Sequence, residues 1–209
     1  MKWNSYLHAA YFAALAVGSA GISLVLLAHR SYQFALILAV AAAICGATSH
    51  HHVGRAGKQA RGANSEQLVA AALSKTGAFH VINNAVLPGV SGDADHVVFH
   101  PVAGACIIET KSGGGQVRIN GDGKLVTGQN RVVPGNPVGQ ALSQAGALAR
   151  CLTGERVTAI VCVPWQKNAP FRSKGVWICG ASQLGWVLRQ IGGHMTAQAA
   201  DRYADRIRR

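Results

Sequence analysis

The chain has 209 residues, room for one ordinary domain and an appendage, and carries 20 Lys and Arg against 8 Asp and Glu, a formal net charge of +12. Residues 1–52 contain Lys2 and Arg30 and no acid, so the remainder holds eighteen bases against eight acids, +10. A balance this basic suits a polyanion such as nucleic acid or an anionic membrane surface. The five cysteines, at positions 45, 106, 151, 162 and 179, form no CxxC pair and read as reduced thiols, which argues against a zinc cluster or a disulfide framework.

Residues 9–28 (AAYFAALAVGSAGISLVLLA) are uncharged and mostly apolar, long enough to cross a bilayer as a helix. His29-Arg30-Ser31 interrupts, and residues 32–48 form a second, shorter apolar run. A cleaved signal peptide is the rival reading, but the first run is long for one and a second follows at once. The expectation is a two-helix transmembrane anchor over residues 1–49, with Trp3, Tyr6 and Tyr32 at the interfaces. Arg55, Lys58 and Arg61 follow the second run and place both termini in the cytoplasm, giving a multi-pass protein of a bacterial-type inner (plasma) membrane. Residues 50–62, with His50-His51-His52 and Gly54, Gly57 and Gly62, read as a basic, flexible linker lying against the lipid.

A domain over residues 63–195 follows, then a basic helical tail, 196–209. Asn64 can cap a helix, with Gln67 completing a capping box and Gly77 ending the turn. Strands are expected at 79–82, 94–99 and 104–110, and Asn-Gly-Asp-Gly within 116–127 signals a hairpin. Asn136-Pro137 starts a helix whose apolar positions 138, 141, 142, 145, 148, 149 and 152 share a face. Residues 157–163 (VTAIVCV) suit a central strand covered on both faces, Val176–Cys179 a further strand, and Ser182 the cap of a last helix. The fold class is α/β (α+β): a central mixed sheet flanked by helices.

Chemistry concentrates at two strand ends. Ile107-Ile-Glu109-Thr-Lys111 sends Glu109 and Lys111 to one face, because side chains alternate along a strand. A turn centred on Val102 sets Asp95 opposite Glu109. Mg²⁺ or Mn²⁺ takes hard oxygen ligands, typically one or two carboxylates with waters and substrate phosphate oxygens. Asp95 and Glu109 can supply that pair, with Glu66 as a further ligand from a neighbouring helix and Lys111 beside the phosphate. Asp93 is a second choice for the ligand or a partner for Lys111. Each residue alone has a plainer reading, such as an edge-strand ion pair for Glu-x-Lys or a helix-dipole partner for Glu66. Their order within a basic, acid-poor domain favours the metal site. Gly104-x-x-x-x-Glu109-Thr-Lys-Ser has Glu109 where a phosphate-binding loop needs glycine, and Gly113-Gly114-Gly115 opens no helix, so it reads as a flexible turn.

Gly62-x-x-Ser-Glu66, Gly92-Asp-Ala-Asp95-His-Val-Val, Gly104-Ala-Cys-Ile-Ile-Glu109-Thr-Lys111 and Asn136-Pro137-x-x-Gln140, in that order, resemble the nuclease-related domain family, NERD, of the PD-(D/E)xK restriction-endonuclease-like superfamily. The likeness covers about residues 60–160 and departs at Asn64-Ser65, where a small residue or glycine is usual before the glutamate. It implies a restriction-endonuclease-like fold, places Glu66, Asp95, Glu109 and Lys111 at the family's active-site positions, and matches Gln140 to its polar helix residue. The resulting expectation is a membrane-anchored, Mg²⁺- or Mn²⁺-dependent endonuclease hydrolysing DNA phosphodiester bonds at the cytoplasmic face. The alternatives are a catalytically inactive nucleic-acid-binding module and a membrane scaffold using the same fold.

Overall fold

A computed structural model describes residues 14, 15, 17, 19, 32–112 and 115–208, with the side chains of 32–36, 46 and 48–59 outside the description. Most of the first apolar run therefore lies outside the described residues, as do Gly113, Gly114 and Arg209. The chain divides into two compact units, Met1–Arg61 and Gly62–Arg209. Among the described residues no helix is long and apolar enough to cross a membrane.

Helix α1 runs from Tyr32–Leu73, which corrects two expectations. Residues 50–62 are helical rather than a flexible linker, and Asn64 sits inside the helix instead of capping it. The physical reason is composition: the segment has no proline, and Ala56, Lys58, Gln59, Ala60, Arg61 and Ala63 are helix formers interleaved with the glycines. Each interior glycine costs roughly 1 kcal/mol, too little to break a helix that continues on both sides.

Among the described residues of the second unit, eight strands and three further helices follow. The strands are β1 (His80–Val86), β2 (Asp93–His100), β3 (Gly104–Thr110), β4 (Val117–Ile119), β5 (Leu125–Thr127), β6 (Val157–Cys162), β7 (Phe171–Ser173) and β8 (Val176–Cys179). The helices are α2 (Pro137–Cys151), α3 (Leu184–Gln190), entered through a 3-10 turn at Ala181–Gln183, and α4 (Ala197–Arg208). Six strands form one mixed sheet in the order β1-β2-β3-β6-β8-β7, and β4-β5 form a separate hairpin. β6 lies parallel between β3 and β8 and is buried over its last four residues, as its unbroken apolar run predicts.

Two cores cover the two faces of the sheet. On one, Val97, Phe99, Ile107 and Val161 pack with Val138, Ala141, Ala145 and Leu148 of α2 and with Ala200 and Ala204 of α4. On the other, Val98, Cys106, Ile108 and Ile160 pack with Val69 and Leu73 of α1 and with Leu184, Val187 and Leu188 of α3. The 2-residue alternation of β2 and β3 feeds both cores at once, so a one-residue slip would exchange them. Buried Gln166 accepts from Val117 N at 2.9 Å and thereby ties the β4–β5 hairpin to the turn after β6. That turn is tight: a Cβ at Gly180 would collide with the Gln166 carbonyl.

Candidate active site at the β2–β3 strand ends

The site grows from the β2–β3 register. His96 pairs with Ile108, Val97 with Ile107 and His100 with Gly104, so the ladder is centred on Val102, and one step beyond the last pair sets Asp95 opposite Glu109. Asp95 Oδ2 accepts the backbone N–H of Thr110 at 2.6 Å, closing the ladder with a side chain where the next backbone bond would fall. On the outer side, Asn83 pairs with His96 and Ala85 with Ala94, while the intervening Asn84 adopts φ 54°, a left-handed conformation. Asparagine tolerates that region better than most residues.

Parity places Glu109 on the α2 face with Ile107. Its residue exposure is 1 %, its Oε1 lies 2.6 Å from Lys111 Nζ, and its Oε2 has no hydrogen-bond partner. Lys111 also donates to Gln140 Oε1 at 3.1 Å, and its backbone N–H bonds the Cys162 carbonyl at 2.9 Å. Gln140 stands in the second turn of α2, whose start is fixed by Pro137 and by Asn136, the side chain of which accepts from Gly139 N at 3.3 Å.

Burial dominates the electrostatics. It pushes the Glu109 carboxyl above its ordinary range, opposed by the hydrogen bond from Lys111 and reinforced by the Asp95 charge. It raises Asp95 as well, opposed by the Thr110 N–H and Lys111, with Asp93 adding to the rise. Two neighbouring carboxyls that both resist ionisation are suited to a shared cation, which would stabilise the charged forms.

Asp95, Glu109, Lys111 and Gln140 are thus brought together. Glu66 lies half-buried on the segment of α1 that packs through Val69 and Leu73. Among the described residues, no three His, Cys, Asp or Glu side chains gather as a metal-holding group. Asp93 is exposed at the start of β2, and its carbonyl accepts from Gln144 Nε2 at 3.2 Å.

Two features escaped the sequence. Beneath the strand ends, on the α1 face, buried His96 links Asn83 Oδ1 at 2.7 Å to Thr110 Oγ1 at 3.2 Å, and burial lowers its pKa to about 4, holding the ring neutral. This row braces Thr110, the residue that binds Asp95. Gln144, one turn beyond Gln140, is also buried against the site. Its four-residue spacing from Gln140 was the available signal.

A cleft of about 370 Å³ lined by Val90, Ser91, Gly135, Asn136, Gln140, Ser143 and Gln144 opens beside these groups. Paired acidic strand ends with a lysine on one face of a mixed sheet, beside a polar helix stripe, define a nuclease-like class of protein. Residues 61–167 match the nuclease-related domain family, and the chain belongs to that family. The matched stretch contains Glu66, Asp95, Glu109, Lys111 and Gln140. No curated protein and no solved structure matches the chain.

Proposed function

We propose that the protein is a divalent-metal-dependent nuclease that hydrolyses DNA phosphodiester bonds, held at the cytoplasmic face of a membrane by the apolar runs 9–28 and 32–48. The observation that carries the reading is Lys111, fixed between Glu109 at 2.6 Å and Gln140 at 3.1 Å, beside a buried carboxylate oxygen without a partner. A buried acceptor with no donor is rare and costly, roughly 1–3 kcal/mol. A hard cation satisfies it, and Asp95 and Glu109 offer the oxygen donors that Mg²⁺ or Mn²⁺ takes. When bound, such a cation would neutralise phosphate charge and lower the pKa of an attacking water.

The chain's own residues do the rest. Gln140 and Glu109 hold the Lys111 ammonium in one place, where it can bind a phosphate oxygen and offset charge that develops there. The Thr110 N–H fixes Asp95, which leaves its other oxygen for the cation. The +12 net charge supplies the long-range attraction for a polyanion.

The test is incubation of the purified full-length chain with plasmid DNA in Mg²⁺, Mn²⁺ or EDTA. Nicking is expected only with a cation, and Glu109→Ala and Lys111→Ala should reduce it by at least about 10²-fold while retaining DNA binding. Salt-sensitive DNA binding with no nicking under any cation would replace this reading with that of a binding module. Equal nicking by wild type and both variants would show that the activity lies elsewhere.

A further inference from the structure

Gln144 is 1 % exposed, on a helix position where an apolar residue would extend the α2 core. Its Nε2 donates to the Asp93 carbonyl at 3.2 Å, which settles the amide's orientation. The flipped amide would set oxygen against oxygen. Oε1 therefore points away from Asp93, buried, and has no hydrogen-bond partner.

Glu109 Oε2 is in the same condition. The two side chains are neighbours, since the Gln144 amide, whose donor is Nε2, is among the groups that lower the Glu109 pKa. Lys111 cannot serve both orphans, because it is engaged with Glu109 Oε1 and Gln140 Oε1. Of the four buried side-chain atoms without a partner among the described residues, two are these acceptors. Gln144 also lines the cleft beside Gln140.

We infer that Gln144 Oε1 is a cation-holding oxygen of this site, acting with Asp95 and Glu109 directly or through one cation-bound water. The inference rests on the divalent-metal reading above. Amide oxygens are neutral hard ligands, so a third donor of this kind adds no further charge repulsion to the two carboxylates.

The experiment is Mn²⁺ binding to the full-length protein, measured by calorimetry and by the electron paramagnetic resonance of free Mn²⁺, with no DNA present. Gln144→Leu removes the oxygen and should weaken Mn²⁺ by about tenfold or more, the loss typical of a supporting ligand. Gln144→Glu keeps an oxygen while losing the donor to Asp93, and should bind at least as tightly as wild type. A purely structural role predicts equal weakening in both variants, since both lose the Asp93 bond. Unchanged affinity in Gln144→Leu overturns the inference, and so does weakening of Gln144→Glu to the same extent. If Gln144→Leu does not fold, Gln144→Glu decides alone. No Mn²⁺ binding by the wild type would instead overturn the metal reading itself.

Discussion

Lys111→Met isolates the electrostatics of the site from its chemistry. Glu109 and Lys111 meet at 2.6 Å, with side-chain exposures of 2 % and 22 %. At an effective dielectric constant of about 20, the attraction across that distance is roughly 6 kcal/mol before desolvation. Methionine keeps the apolar stem and removes the charge, so part of that energy returns as lysine desolvation. Breaking a buried pair from one side costs about 3–5 kcal/mol, and the partial exposure of Lys111 argues for the lower end, about 3 kcal/mol. For a chain of this size that is a fall in Tm of about 6–12 °C.

The pH dependence carries the sign. Glu109 is already raised above its ordinary value of 4.5, and losing Lys111 raises it further. A carboxyl raised by folding is accommodated while protonated, so the stability it allows is present at low pH and lost as pH climbs through the folded value. The deficit of Lys111→Met should therefore be small near pH 4.5 and grow by up to about 1.4 kcal/mol per pH unit until Glu109 ionises. Glu109→Gln in the same chain should recover most of it. Denaturant unfolding of the cation-free full-length protein from acid to neutral pH is the assay. A loss below about 1 kcal/mol at neutral pH, or one independent of pH, would refute the buried-pair reasoning.

Two further outcomes are expected. Burial raises both Asp95 and Glu109, so a cation competes with protons above the ordinary carboxylate range. Mn²⁺ affinity should rise as pH increases above the ordinary carboxylate values, and calorimetry in buffers of differing ionisation heat should detect proton release. A flat profile would remove these carboxyls from the cation site. The membrane reading predicts that the full-length chain stays in the membrane pellet after alkaline carbonate extraction, whereas deletion of residues 1–49 releases it; recovery of the intact chain in the supernatant would remove that part of the proposal.

The sequence made the site's strands legible because strand alternation is rigid. Once the turn is centred on Val102, Glu109 and Lys111 must share a face and Asp95 must stand opposite Glu109. The central position of Val157–Cys162 was equally plain, since only a doubly covered strand tolerates so unbroken an apolar run. Helix faces were less so. Leu142 counted toward the inner face of α2 and is 42 % exposed, while Gln144 is buried. A helix offers a broad stripe, and the neighbouring sheet decides which edge of it is covered.

Residue order by itself therefore determined the hairpin register, the mixed sheet and the pairing of Asp95 with Glu109, because those follow from local periodicity and turn position. Only tertiary structure decided the burial of Gln144 and His96 beside the strand ends and the exposure of Leu142. These depend on which helix covers which face of the sheet, a matter of packing between segments up to about fifty residues apart, as with Asp93 and Gln144.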